Sequence, residues 1–106
     1  MIKTNIQLPI NVERLCKKCL EGEISIGDVF IVDGRIVKEF TTKEKVVSIN
    51  HLGIDTISKI NGRTIERIRY FPEFGYSIHV GYYRKGISKD FDKYDRLLNE
   101  VKEEDK

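Results

Sequence analysis

Residues 54–70 have the sequence IDTISKINGRTIERIRY, in which two runs rich in Ile and Thr lie on either side of Asn61-Gly62. An Asn-Gly pair favours a type I′ turn, because both central positions of that turn need positive φ. β-branched residues are favoured in strands. The stretch therefore predicts an antiparallel hairpin in which about 54–60 pairs with 63–70.

The two faces of this predicted hairpin are not cleanly apolar. With a tight turn, one face would carry Ile54, Ile60 and Ile65 together with Arg63, Arg67 and Arg69. The other face would carry Ile57, Ile68 and Tyr70 together with Asp55 and Glu66. A β-bulge, or a ribbon that protrudes beyond the core, would resolve the conflict, and either would present the arginines to a partner.

Turn residues on both sides of this hairpin predict further short strands. Asp33-Gly34 predicts a hairpin that pairs about 28–32 with 35–40, placing Ile31 opposite Ile36 and Phe30 opposite Val37. Further turns are predicted at Thr41–Glu44, Asn50–Gly53 and Pro72–Gly75, around strands at Val46–Ile49 and Tyr76–Tyr83. The last strand is predicted to direct Tyr76, Ile78, Val80 and Tyr82 towards the core, and Ser77, His79, Gly81 and Tyr83 away from it.

Helix signals stand at both ends of this strand-rich region. Asn11 is a good N-cap and Gly22 a good C-terminal stop, which predicts a helix at about 11–21. Ser88 is predicted to cap a helix at about 89–102, whose apolar stripe is Phe91, Tyr94, Leu98 and Val101. The expected fold is α+β, a single domain of residues 1–106. Its six-stranded antiparallel meander is strongly twisted or small-barrel-like, with one N-terminal and one C-terminal helix.

The composition excludes several classes of protein. An apolar content of 40% and a charged content of 34% in 106 residues are typical of a globular domain. No segment approaches the roughly 18 consecutive apolar residues of a membrane span, so no membrane partner is expected. The two cysteines, three positions apart, fit a reducing compartment better than a disulfide framework, and a cytoplasmic location is expected.

Few residues carry recognisable chemistry. Cys16 and Cys19 could form half of a zinc site with His51 and His79, but helical spacing also explains both as buried small hydrophobes, and neither metal nor cofactor is expected. The sequence has no phosphate-binding glycine loop, HExxH or GxSxG motif, which argues against a familiar enzyme. One enzymatic alternative remains: a small metal-independent ribonuclease that uses His79, against which a solvated strand histidine is the simpler interpretation.

The segment 59–86 suggests a class of partner. It contains six Lys and Arg residues and two Glu residues, a net charge of +4, interleaved with aromatic residues. Cationic groups attract phosphates and aromatic rings stack on bases. We therefore expect a non-enzymatic module that binds nucleic acid through this basic, aromatic β-ribbon. The candidate binding residues are Lys59, Arg63, Arg67, Arg69, His79, Tyr83, Arg84 and Lys85.

Two other kinds of partner suit the same residues. Arg and Tyr are also favoured anchors of protein interfaces, so an acidic protein surface is an alternative, and an anionic small ligand is another. Richness in Ile, Lys, Asn and Glu is in keeping with accessory proteins of AT-rich bacteria and their phages, which would make the chain an inhibitor of a host protein. A meander that does not close leaves an edge strand available for a homodimer.

Overall fold

The computed structural model describes residues 8–33 and 41–100 and shows the expected α+β fold. The elements in chain order are β1 (Ile10–Asn11), α1 (Val12–Leu20), β2 (Val29–Asp33), β3 (Thr41–Asn50), β4 (Gly53–Asn61), β5 (Thr64–Phe71), β6 (Tyr76–Arg84) and α2 (Phe91–Asn99). Strand order in the sheet follows chain order, so the predicted meander is confirmed. It is an open sheet with β1 and β6 at its edges. The short β1 pairs with β2 in parallel, and the other pairs are antiparallel.

The N-terminal helix forms for the predicted reasons. Asn11 Oδ1 accepts a hydrogen bond from the backbone N–H of Arg14 at 2.8 Å, and so satisfies a donor that the helix leaves free. Gly22 ends the helix with a φ of 74°, which a residue without Cβ adopts without strain. Leu15 and Cys16 are buried against the sheet. Neither described helix is long and apolar enough to cross a membrane.

The β4–β5 hairpin is confirmed, and it contains a β-bulge. Ile54 pairs with Tyr70 and Lys59 with Ile65, but Asn61 then pairs with Thr64, so Ile60 is an extra residue. Because side chains alternate along a strand, this one residue shifts the faces of β4 relative to those of β5. Ile54 consequently shares a face with Ile68 and Tyr70, which the tight-turn register did not allow.

Two apolar clusters lie on opposite faces of the sheet. The α1 face holds the larger cluster, formed by Leu15, Cys16, Val32, Val46, Ile54, Ile68 and Tyr70. The α2 face holds a smaller one, formed by Ile57, Ile65, Phe91 and Tyr94, with Tyr83, Val47, Leu97 and Leu98 packed around it. The sheet is therefore the middle of a three-layer arrangement in which each helix covers part of one face.

The register predicted for the first hairpin is wrong. Phe30 pairs with Glu44 instead of Val37, and Ile31 pairs with Lys43 instead of Ile36. The predicted turn at Thr41–Glu44 is part of β3, while residues 34–40, including Gly34 and the predicted strand 35–40, lie outside the described residues. The run TTKEK has no apolar alternation and does not look like a strand that faces a core.

Buried hydroxyl groups explain how this polar run enters the interior. Glu44 is fully buried on the α1 face, where its carboxylate accepts hydrogen bonds from the hydroxyls of Thr42, Thr56 and Tyr70 at 2.5, 2.8 and 2.6 Å. A buried charge is tolerated when it is hydrogen-bonded. The network joins β3, β4 and β5, and sequence periodicity did not reveal it.

The C-terminal helix begins three residues after Ser88. The Ser88 Oγ accepts a hydrogen bond from the backbone N–H of Arg84 at 2.8 Å and so does not cap α2, which corrects the predicted cap. Asp90 is the N-cap, without a side-chain hydrogen bond. At the other end, Lys45 Nζ donates to the carbonyl oxygens of Leu97 and Glu100 at 2.6 and 2.8 Å. Residues 101 and 102 of the predicted helix lie outside the described part of the chain.

Candidate nucleic-acid interface

In the structure, some Lys and Arg side chains of the predicted basic ribbon form ion pairs with carboxylates, and others form none with a described residue. Arg67 and Arg69 both bind Asp55. Arg67 Nη2 donates to Asp55 Oδ2 at 2.6 Å, and Arg69 Nε donates to Asp55 Oδ1 at 2.6 Å. Asp55 is 1% exposed and lies beneath the two guanidinium groups on the α2 face. Two of the expected phosphate ligands are therefore already engaged by a carboxylate.

The two guanidinium groups explain why Asp55 remains charged; Asp55, Arg67 and Arg69 are called the triad below. Burial alone would raise the pKa of Asp55, but the hydrogen bonds and charges of Arg69 and Arg67 outweigh that effect and hold the pKa below its ordinary value. The same carboxylate outweighs the desolvation of Arg67 and raises its pKa. Arg67 Nη1 also donates to the Tyr94 hydroxyl at 3.2 Å, which ties the triad to α2.

Lys59 is also engaged, in an ion pair with Asp95 of α2. Both side chains of this pair are about one-third exposed. An exposed pair of this kind contributes little to stability. It does, however, place a carboxylate beside the Lys59 ammonium, which makes Lys59 a weaker ligand for a phosphate.

His79 and Tyr83 do not point outward together as expected. Arg67 pairs with Gly81 whereas Ile68 pairs with His79, so β6 contains an extra residue at Val80. This second bulge turns Tyr83 to the α2 face, where its ring packs 4.9 Å from the ring of Tyr94. His79 lies on the α1 face with its Nε2 enclosed and 3.5 Å from Glu66 Oε2. A substrate has no direct path to that nitrogen, so the ribonuclease alternative gains no support.

The expected core face of the last strand is also wrong. Tyr76, Ile78 and Val80 are 50%, 46% and 44% exposed, although their alternation predicted burial. Pairing places Ile78 beside Arg69 on the α2 face, beyond the part that α2 covers. The apolar stripe of β6 is therefore a surface feature.

Arg63, Arg84 and Lys85 are brought together at the end of the β4–β5–β6 ribbon. They line a depression of about 460 Å³ with Asn61, Gly62, Thr64 and Ile87. No carboxylate is among the described residues that line it, and within residues 8–33 and 41–100 none of the three cations has an ion pair. Because all three side chains are exposed, an anionic ligand can reach them from solvent.

Backbone hydrogen bonds fix the positions of these three cations. Asn61 Oδ1 accepts from the N–H of Arg63 at 2.8 Å, which closes the turn. The N–H of Lys85 donates to the carbonyl oxygen of Arg63 at 2.9 Å, and the N–H of Arg84 donates to Ser88 Oγ. The chain positions of the cations are therefore set before any ligand binds, which lowers the entropic cost of binding.

Tyr82 lies two residues before Arg84, and it was not among the binding residues predicted from the sequence. It is 57% exposed, and it pairs across from Glu66 two positions before Arg84. One side of its ring contacts His79, with the ring centroids 4.0 Å apart. Strict alternation had assigned Tyr82 to the core face, and only a bulge in β6 reverses that assignment. An exposed ring next to free cations is suited to stacking on a base.

The cysteines are explained by packing. Cys16 belongs to the core cluster on the α1 face, and Cys19 packs against it. Burial raises the pKa of both thiols, which disfavours the thiolate that metal binding and nucleophilic chemistry require. Among the described residues, no group of three or more His, Cys, Asp or Glu side chains is arranged to hold a metal ion.

Comparisons of the chain with models of known protein families, with curated proteins and with solved structures give no match.

Proposed function

We propose that this protein is a small non-enzymatic binding module that holds the backbone of a single-stranded nucleic acid. Arg63, Arg84 and Lys85 contact its phosphates, and Tyr82 stacks on a base. The observation that carries the proposal is the depression lined by three cations that have no ion pair with any described residue, while Lys59, Arg67 and Arg69 are engaged by carboxylates.

The number of free cations sets the expected salt dependence. Each phosphate contact to a single strand contributes about −0.7 to the slope of log affinity against log salt, so three contacts give a slope of about −2. Affinity should then fall about 20-fold between roughly 50 and 200 mM salt. Had all six cations of the ribbon been free, the slope would be about −4 and the loss about 300-fold.

Fluorescence anisotropy with labelled single-stranded DNA, single-stranded RNA and double-stranded DNA tests the proposal. Arg84→Ala should weaken binding and make the slope less steep by about 0.7, as expected for one lost phosphate contact. Lys43→Ala is the matched control, because Lys43 is an exposed cation on β3, three strands away from β6. It should leave the slope unchanged.

Tyr82 provides a second test within the same assay. Tyr82→Ala should weaken single-strand binding about fivefold or more, whereas Tyr82→Phe, which keeps the ring, should bind within about twofold of the original protein. Absence of binding to all three nucleic acids at low salt would reject the proposal. An acidic protein surface would then be the alternative partner for the same three cations.

A further inference from the structure

Strand β6 is an edge strand that exposes an apolar stripe. It pairs with β5 on one side and with no described strand on the other. Tyr76, Ile78 and Val80 are about half exposed, and Phe74, in the preceding turn, is 72% exposed. Given the sizes of these side chains, they expose roughly 400 Å² of apolar surface, as large as the largest patch on many monomers.

We propose that β6 pairs with β6 of a second copy of the chain, antiparallel, about a two-fold axis that passes through Ile78. In this register Ile78 lies opposite the partner's Ile78, and Tyr76 lies opposite the partner's Val80. Tyr76 and Ile78 lie on the α2 face, opposite Phe71 and Arg69, and Val80 follows at the bulge, so the apolar stripes of the two copies would lie side by side along the paired edges.

The positions of the irregularities in β6 favour this register. Tyr76 to His79 pair regularly with β5, and the bulge begins only at Val80, where the strand bends. At the far end, the Arg84 N–H is occupied by Ser88, so that part of the edge is closed to a new strand. The segment free to pair is therefore centred close to Ile78.

Charges at the two ends of the strand complement each other in the same register. Glu73 is exposed just before β6, and Arg84 and Lys85 are exposed at its end. With the axis at Ile78, Glu73 lies opposite the partner's Tyr83, beside the partner's Arg84. A two-fold axis repeats this contact at the other end, so both ends bring opposite charges together.

The buried area predicts a weak dimer. Two stripes of roughly 400 Å², with the strand edges, give a total near 1,000 Å², below the roughly 1,600 Å² of a typical stable interface. We therefore expect monomer and dimer to exchange at micromolar protein concentrations.

Sedimentation equilibrium of the full chain at roughly 1–500 μM and moderate salt, without nucleic acid, tests this interface. The mass should rise with concentration from that of one chain towards that of two. Ile78→Lys and Ile78→Glu should each remain monomeric, because like charges would meet on the axis. An equimolar mixture of the two variants should form dimers again. Ile60→Lys is the matched control, since Ile60 is 50% exposed, close to the 46% of Ile78, but lies at the β4 bulge.

Several outcomes would overturn the dimer. A single-chain mass at every concentration would do so, as would an Ile78→Lys variant that still dimerises. Failure of the mixture to associate, with both variants folded by circular dichroism, would show that the axis does not pass through Ile78. The sedimentation experiment contains no nucleic acid and changes none of Arg63, Arg84 and Lys85, so the dimer can fail while nucleic-acid binding holds. In the dimer, the partner's Glu73 would compete with a phosphate for Arg84.

Discussion

Replacing Asp55 with Asn tests whether one buried carboxylate holds Arg67 and Arg69. The substitution keeps the size of the side chain and removes its negative charge. In the native protein Asp55 accepts three hydrogen bonds from the two guanidinium groups, at 2.6, 2.6 and 3.2 Å. The variant would leave two adjacent arginine cations without a counter-charge on the α2 face.

The size of the effect follows from burial. Breaking a fully buried ion pair costs about 3–5 kcal/mol. Arg67 and Arg69 are each 27% exposed, so water can partly replace the lost carboxylate, and we expect a loss of about 2–3 kcal/mol in the free energy of unfolding. With a urea m value of roughly 1.2 kcal/mol/M, the denaturation midpoint would fall by about 2 M.

The effect should depend on pH in a defined direction. The pKa of Asp55 in the folded protein lies below its ordinary value of 3.8, so the unfolded chain takes up this proton first as the pH falls. The stabilisation is therefore complete above about pH 4 to 5 and is lost as the pH falls through the lower folded pKa. The stability difference between Asp55→Asn and the original protein should be constant from about pH 5 to 8 and shrink below about pH 4.

Urea titrations at several pH values measure this difference. Asp92→Asn is the control, because Asp92 is an exposed carboxylate in the first turn of α2, and its loss should cost less than about 1 kcal/mol. A loss below about 0.5 kcal/mol in Asp55→Asn at pH 7 would refute the reasoning. A large loss that did not change with pH would show that the carboxylate charge is not its cause.

Two further substitutions test contacts that stabilise α2 and the β4–β5 pairing. Lys45→Met removes the buried ammonium that binds the Leu97 and Glu100 carbonyls, and we expect a loss of about 1–2 kcal/mol in unfolding free energy and faster amide hydrogen exchange in α2. Unchanged exchange in α2 would contradict this role. Gly53→Ala would place a methyl group onto the backbone carbonyl of Tyr70, and we expect a loss of at least about 2 kcal/mol and a melting temperature roughly 10 °C lower. A melting temperature within about 2 °C of the original would show that the strands can separate locally to make room.

Local signals predicted the elements of this fold better than they predicted its pairings. The cap at Asn11 and the stop at Gly22 depend on a few neighbouring residues, and both are confirmed. The hairpin also forms, but its two loop residues are Gly62 and Arg63, and neither Asn61 nor Gly62 has the positive φ of the predicted type I′ turn. The register predicted for the first hairpin was wrong because the true partner strand, Thr41–Asn50, begins with polar residues that show no apolar alternation. Ser88 was assigned to the wrong partner because a nearby strand N–H, invisible in the sequence, competes for its oxygen.

Arg67 and Arg69 are neutralised because of the extra residue Ile60. In the tight-turn register Asp55 lies on the face opposite to Arg67 and Arg69, which leaves both arginines free for a ligand. With Ile60 bulged, Asp55 pairs directly with Arg69 and shares its face, and the two arginines become part of the protein's own ion-pair network. A period-two pattern cannot show which register holds, because each register leaves charged residues on an apolar face.

The same reasoning explains why the free cations gather at the end of the ribbon. A cation within a strand lies beside residues of its neighbours, and a carboxylate there can neutralise it, as Asp55 does. Arg63 lies in the turn beyond the paired part of β4, and Lys85 follows the last residue of β6. A backbone hydrogen bond joins these two residues, so the neighbour of each across the ribbon is a cation and not a carboxylate. Arg84 is opposite Thr64, which carries no charge. The turn end is therefore where this ribbon keeps positive charge available to a partner, and the salt slope of Arg84→Ala is the most direct measure of it.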